Sequence, residues 1–371
     1  MEKPGESGES NFPSLPVGAR LLVIRLRSIG DIVLLTPALR LVKAWRPDLH
    51  LSILVESQFR ELLEGNTDAD EVLGVESARA SPKRSAYWRI AESLWRGKFD
   101  VSINLHGGPT SAWLTAASRA RWRVGFAHFH KSWLYNVRIP DARGTLMKEK
   151  IHTAEHQACA FFRLGMPKAD IPRARLIVSA RSAEWWAKAT ESIGIETGRD
   201  YAVLHSPALY ATKQWAPDRF AKLGHWLERE ARVIPVYSAG PGEAAVLDAV
   251  ERAANAPIRR LPPASLGQFS AAIAGARLFI GNDSGPAHMA AALGRPLVVI
   301  FGSSSSDIWG PWPRESVGAS ARVVQNEYPC NPCRGDRCYQ FERPECILSV
   351  SETQVQKAVE EILTYGTRPT S

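Results

Sequence analysis

The chain has 371 residues, 45% of them hydrophobic and 23% charged. This is ordinary globular usage and excludes a disordered, collagen-like or small disulfide-stapled protein. Its 46 Lys and Arg against 38 Asp and Glu leave a net charge of +8, which points to an anionic partner: nucleic acid, a membrane surface or a phosphorylated ligand. At roughly 100–200 residues per domain, the length predicts two domains or three.

Residues 1–17 are predicted to be a disordered tail. The opening Met1-Glu-Lys-Pro-Gly-Glu-Ser-Gly-Glu-Ser lacks the basic and apolar regions of a secretory signal, which favours a cytoplasmic location. No apolar run reaches the roughly 18–20 residues needed to span a bilayer. Strands are predicted at residues 21–26, 51–55 and 101–105, with helical patterns at 37–45 and after 111. Alternation of this kind specifies a parallel sheet covered by helices on both faces. It lapses across two predicted helices, 148–164 and 181–193. It resumes with strands at 201–205, 232–237, 277–281 and 297–301, and a further short strand at 258–261. A last amphipathic helix is expected at 352–363. The pattern is an α/β chain of two doubly wound domains, and no internal repeat of 20–50 residues interrupts it.

In such sheets, ligands bind beyond the C-terminal ends of the strands, and six motifs deserve inspection there. Arg27-Ser-Ile-Gly-Asp31 follows the first strand. Gly30 permits a tight turn, and Asp31 reads either as a helix cap or as a general base for an attacking hydroxyl. Ile280-Gly-Asn-Asp-Ser-Gly-Pro-Ala-His288 opens another helix. Ser284 can cap it, Gly285 lets a ligand approach the backbone, and the free amides form an anion site within reach of His288. Asp283 would repel a phosphate, so it suits a sugar hydroxyl or the ordering of the loop. The alternative is a well-capped buried helix. Lys213, in Thr212-Lys-Gln-Trp215, is either a point charge for a diphosphate or a solvated surface group.

Gly240-Pro-Gly-Glu-Ala-Ala245 fits G-x-G-x-x-A, but no acidic residue follows at the next predicted strand end, which disfavours NAD. Glu243 could instead meet a ribose hydroxyl. Cys330, Cys333, Cys338 and Cys346 could hold a structural zinc, form a redox pair or remain reduced thiols. Between Arg119 and Lys150 lie eight basic residues and two acidic ones, interleaved with aromatics. That stretch reads as a solvated face, as a site for a phosphorylated acceptor at a membrane, or as a single-strand nucleic-acid site.

Taken together, the chain resembles the bacterial glycosyltransferase family 9, the ADP-heptose:lipopolysaccharide heptosyltransferases. Ile29-Gly-Asp-Ile-Val-Leu-Leu-Thr-Pro-Ala-Leu39 is similar to the family's N-terminal signature. Asn282-Asp-Ser-Gly-Pro-Ala-His-Met-Ala-Ala-Ala-Leu-Gly294, with Pro296 and Phe301-Gly302, is similar to its C-terminal one. Asn104-Leu-His-Gly-Gly108, His152-Thr-Ala-Glu-His156, Lys213-Gln-Trp215 and Gly240-Pro-Gly-Glu243 fall between them in the family's order.

The resemblance implies a GT-B architecture of two Rossmann-like domains facing across a cleft. It implies an acceptor domain at 18–180, a nucleotide-sugar domain at 181–350, and a helix and tail at 351–371. It further implies inverting, metal-independent transfer of heptose from ADP-heptose to a Kdo-lipid A type acceptor, with no cofactor. Asp31 would be the base and Lys213 would stabilise the leaving diphosphate. Thr212, Lys213, Glu243, Asp283, Ser284, Gly285 and His288 would hold the donor. Ser28, Gly30, His106, Arg123 and Arg143 would hold the acceptor. The expected partners are a nucleotide sugar, a phosphorylated glycolipid and an anionic membrane surface on its cytoplasmic side, without nucleic acid. Arg27-Ser-Ile and His106-Gly-Gly108 depart from the family's commoner residues, both on the acceptor side. Another nucleotide sugar, another surface-glycan acceptor, or a non-catalytic lipid- or nucleic-acid-binding module are the alternatives.

Overall fold

A computed structural model describes residues 14–77, 84–196, 198–313, 320–333 and 335–365. Most of the expected N-terminal tail and the last six residues lie outside these. The chain divides into two compact units, Met1–Arg173 and Ala174–Ser371.

The first unit contains strands β1 (Arg20–Ile24), β2 (His50–Glu56), β3 (Glu71–Val75), β4 (Val101–Asn104), β5 (Trp122–Phe126) and β6 (Val137–Ile139). They form one parallel sheet in the order β3-β2-β1-β4-β5-β6. Its helices are α1 (Ile29–Val33), α2 (Thr36–Trp45), α3 (Arg84–Arg96), α4 (Pro109–Ala117), α5 (Ala142–Leu146) and α6 (Thr153–Arg163). β1 and β2 are buried almost throughout. That explains why they read as continuous apolar runs rather than as alternating ones.

Two differences from the sequence-based expectation concern this unit. The stretch 119–150, expected as a basic aromatic surface, contains β5 and β6. Val124, Phe126, Tyr135, Val137 and Ile139 are core residues, and the charges alternate outward between them. The helix expected from residue 148 begins at Thr153. His152 Nδ1 accepts from the Ala154 amide (3.1 Å) and Glu155 Oε2 accepts from the His152 amide (2.8 Å). This reciprocal capping box stops the helix from extending backwards.

The second unit contains β7 (Tyr201–His205), β8 (Ile234–Ser238), β9 (Leu278–Asn282), β10 (Leu297–Ile300) and β11 (Ala321–Val324), in the parallel order β11-β10-β9-β7-β8. Its helices are α7 (Ala180–Ser192), α8 (Pro217–Arg229), α9 (Ala244–Ala254), α10 (Leu266–Gly275), α11 (Gly285–Ala292), α12 (Ser306–Trp309), α13 (Glu345–Leu348) and α14 (Glu352–Tyr365). The strand expected at 258–261 is absent. Only Arg260 bridges Tyr237, in a segment that leads into Pro262-Pro263. Val355, Val359 and Ile362 of α14 are buried in the same core cluster as Leu204, Ile280 and Val298, so the C-terminal helix belongs to this unit's core.

Each unit is a doubly wound, Rossmann-like layer structure, as the GT-B expectation requires. The strand orders differ: 3-2-1-4-5-6 in the first, and the 2-1-3-4-5 type in the second. Each order has one point where the chain reverses direction across the sheet. These points fall between β1 and β4, and between β7 and β9. Among the described residues, no helix is long and apolar enough to cross a membrane.

Candidate functional site

The β1–β4 switch point gathers the acceptor-side candidates of the first unit. Asp31 sits in the first turn of α1, directly beyond β1. Its Oδ2 accepts from the Ser28 amide and from Ser28 Oγ, both at 3.2 Å. Its Oδ1 forms an ion pair with Arg25, and both side chains are largely shielded from solvent. Arg25 in turn donates to the Leu105 carbonyl at the end of β4, and Gln157 on α6 donates to the Asp31 carbonyl (3.0 Å). Asp31 therefore caps its helix and is also held in one orientation by groups from three elements.

Opposite it, Asn104 shapes the loop that carries His106. Its Oδ1 accepts from the His106 and Gly107 amides (2.9 and 3.1 Å), and its Nδ2 donates to Ser111 Oγ and Tyr135 Oη (3.0 and 2.8 Å). Burial, with the Arg25 and Arg27 charges nearby, pushes the His106 imidazole down to about 4. His156 lies stacked on Phe126 with centroids 4.1 Å apart. Burial and the neighbouring His128 and Arg25 push it down to about 4 as well. Both rings are thus neutral at pH 7, and the acceptor-side charges of this cluster are Arg25, Arg27 and Asp31.

Arg123 does not offer a free guanidinium. Its Nε donates to the Leu134 carbonyl and its Nη1 to the Ala120 carbonyl, both at 3.2 Å, which pins the loop between β5 and β6. Arg143 is exposed on α5. Arg25 and Gln157 were missed in the sequence, and Asn104 was seen only as part of its motif. Arg25 could have been suspected, because it follows β1 six residues before Asp31.

The β7–β9 switch point gathers the donor-side candidates of the second unit. Lys213 lies in a short 3-10 turn after β7. Its Nζ donates to Asp283 Oδ2 at 2.7 Å, with Asp283 almost wholly buried. Ser304 Oγ, beyond β10, donates to the same oxygen. Asp283 is thus an ordering group that fixes Lys213, rather than an open acceptor for a sugar hydroxyl. Asn282 joins both loops, donating to the Ser206 carbonyl (2.7 Å) and accepting from the Trp215 amide (3.1 Å).

α11 begins beside this pair. Pro286 occupies its first turn, but Ser284 makes no side-chain cap bond, contrary to expectation. The buried hydroxyls of Ser206, Ser284 and Ser303 make no hydrogen bond within the described protein. Unsatisfied buried polar atoms are costly, so these hydroxyls, each beyond the C-terminal end of a strand, are candidates to bond a polar ligand. His288 is buried one turn into α11. Glu243, the ribose candidate, has a local partner: its Oε2 accepts from the Gly240 amide (2.7 Å) and closes the Gly240–Glu243 turn before α9.

The four cysteines expected as a candidate zinc set line one pocket together with Thr212 and Ser303. All are free thiols. Burial raises the Cys346 thiol pKa, and the other three cysteines add to the rise. Among the described residues, no group of three or more His, Cys, Asp or Glu is placed to hold a metal ion. The cysteine loop also braces the turns around Lys213. Thr212 Oγ1 donates to the Gly335 carbonyl, Asn331 Nδ2 to the Gly302 carbonyl (2.7 Å) and the Cys333 amide to the Ser303 carbonyl (3.0 Å).

One prediction arises from the buried imidazoles. His205 is enclosed in the second core, beside Ser238 Oγ at 3.1 Å, and burial pushes it from 6.5 down to about 4. The folded state then binds its proton later than the unfolded state does. The contribution is intact above pH 6.5 and is lost as pH falls through about 4. At about 1.4 kcal/mol per unit, the full loss is on the order of 3 kcal/mol. Urea melts between pH 7 and pH 4 will show stability falling with acidification, and His205→Gln will flatten that slope. An unchanged slope in the variant would assign the acid sensitivity elsewhere.

Comparison with known proteins identifies the family. Residues 87–341 match the model of glycosyltransferase family 9 (heptosyltransferase). Lipopolysaccharide heptosyltransferase 3 of Escherichia coli is 25% identical over 358 residues, covering 93% of this chain and 100% of that one. Among solved structures, the E. coli ADP-heptose lipopolysaccharide heptosyltransferase II has a TM-score of 0.75 at 18% identity, covering 94% of this chain and 100% of its own. The E. coli heptosyltransferase solved with ADP-2-deoxy-2-fluoro heptose has a TM-score of 0.65 at 19% identity, covering 92% and 99%. The family match over most of the chain and the paired Rossmann-like units lead to one conclusion: this protein belongs to glycosyltransferase family 9 and is a glycosyltransferase.

Proposed function

We propose that the protein transfers heptose from ADP-heptose to a lipopolysaccharide-core acceptor of the Kdo-lipid A type, by a single inverting displacement. The first unit holds the acceptor and the second the donor. The observation that carries this reading is the chemistry at the two switch points: an oriented carboxylate, Asp31, in one unit, and Lys213 with the α11 start in the other. The E. coli relatives, one of them solved with an ADP-heptose analogue, support the donor.

In the proposed step, the acceptor hydroxyl gives its proton to Asp31 while its oxygen attacks the anomeric carbon. The bond from that carbon to the diphosphate oxygen breaks, and its electron pair leaves with ADP. Charge grows on the diphosphate, where Lys213 and the free amides of α11 favour it. The neutral His106 lines the acceptor side without competing for the proton. Because the acceptor is a lipid, the protein works as a peripheral protein on the cytoplasmic face of the membrane.

The test is direct. Purified protein given ADP-heptose and Kdo-lipid A should release ADP and add one heptose to the lipid, visible by mass spectrometry. Stabilisation against heat by a UDP- or GDP-sugar in preference to ADP-heptose would reject the donor. No release of ADP above background with any core acceptor tried would reject the acceptor class.

A further inference from the structure

The first unit carries a feature that neither switch point uses. Four tryptophans stand out into solvent on it: Trp88 and Trp95 (75% and 53% exposed) on α3, Trp113 (53%) on α4 and Trp133 (64%) in the 3-10 turn between β5 and β6. Trp is rarely left exposed, so four on one unit call for an explanation.

They share one side of this unit's sheet. Trp88 and Trp95 are seven residues apart and therefore lie on the same face of α3. α3 packs on α4, and α4 packs on the turn holding Trp133. The crossovers β3 to β4, β4 to β5 and β5 to β6 all run in one direction across the sheet, so right-handed connections place them on the same face. Trp113 and Trp133 meet edge to face with centroids 6.2 Å apart.

Cations are threaded through the row. Arg119 lies over the Trp95 ring (5.7 Å), Lys131 over Trp113 (5.2 Å) and Arg121 over the neighbouring Trp122 (5.2 Å). Glu92, the acid on α3, is neutralised by Arg96 at 2.7 Å. Between Trp88 and Lys150 there are eleven basic and four acidic residues, so this segment holds seven of the chain's eight surplus positive charges.

We infer that this Trp–Arg–Lys face is the membrane-docking surface, seated on an anionic bilayer. Indole rings favour the interfacial region between headgroups and acyl chains, and the interleaved cations meet lipid phosphates at the same depth. A protein partner would more readily cover a continuous apolar patch with a polar rim. Here Trp95 and Trp113 each carry a cation over the ring, which suits a surface of many equivalent phosphates. The inference deepens the proposed peripheral location and rests on it.

The test uses the full chain and sedimentation with phosphatidylcholine vesicles, with or without phosphatidylglycerol. The protein should bind only the anionic vesicles, with a blue shift in its Trp fluorescence and with weakening at high salt. Replacing Trp88, Trp95, Trp113 and Trp133 together by Ala should lower partitioning by about tenfold or more while ADP binding stays unchanged. The charge reversal Arg119→Glu with Lys131→Glu should do the same and guards against misfolding of the Trp variant. If the wild type binds and both variants bind equally well, the face is wrong but the peripheral location stands. If the wild type binds no vesicle, both fall. A wild-type dimer that the Trp variant dissociates would assign the face to a second copy instead and overturn the bilayer.

Discussion

Replacing Asp31 by Asn will abolish transfer, lowering turnover by about 10²–10⁴-fold, the range supplied by a positioned general base, while ADP binding persists. The substitution is nearly isosteric. It keeps an oxygen for the Ser28 amide and removes the charge that faces Arg25. Because Arg25 is mostly shielded from solvent, some loss of stability will accompany it, and a melting curve must be recorded beside the rate. The discriminating measurement is ADP affinity by calorimetry. The donor candidates lie in the second unit, with their described contacts inside it, so a catalytic role for Asp31 leaves affinity intact. Turnover that survives Asp31→Asn would remove the residue from the base role.

Lys213→Met has two separable consequences. Loss of a charge aimed at the leaving diphosphate should lower turnover by about 10²–10³-fold. It also strands Asp283, a nearly buried carboxylate, and stranding one member of such a pair costs about 3–5 kcal/mol. Adding Asp283→Asn removes the stranded charge. The double variant should therefore regain most of the stability and none of the turnover. If turnover returns with stability, Lys213 acts only as the counterion of Asp283, and the diphosphate must be stabilised by α11 and the surrounding hydroxyls.

Much of this was legible beforehand because buried parallel strands leave an unmistakable trace. β1, β2, β7, β9 and β10 are short runs of Leu, Ile and Val ended by polar turns, and the candidate residues sit directly after them. β3, β5, β6 and β11 were hidden for a different reason. They are short, and charged side chains interrupt their apolar runs, as Arg123 does in Trp122-Arg-Val-Gly-Phe126 and the exposed Arg138 does in Val137-Arg-Ile139. Composition registered the outward residues and missed the strand. Within the site, motif residues were found but not the partners that orient them. Arg25, Gln157, Ser304 and the Gly335 carbonyl reach their targets through the tertiary fold, and spacing along the chain carries no record of that. Asp283 and Glu243 show the same limit: the sequence offered loop ordering for Asp283 without naming Lys213 and Ser304 as its partners, and gave no sign of the Gly240 amide that Glu243 meets.

The two sheets order their strands differently, so the protein is not one nucleotide-binding unit copied twice. Each half has its own crossing of the chain, its own loops and its own set of supporting contacts. Loops on such scaffolds can be exchanged while the layers beneath them stay in place. Variation in the Arg27–Asp31 and His106–Gly108 loops, the acceptor-side loops of the proposed function, would therefore leave the network around Lys213 and Asp283 undisturbed. Under the proposed function, a change of acceptor would need no new architecture, only variation confined to the ends of two strands.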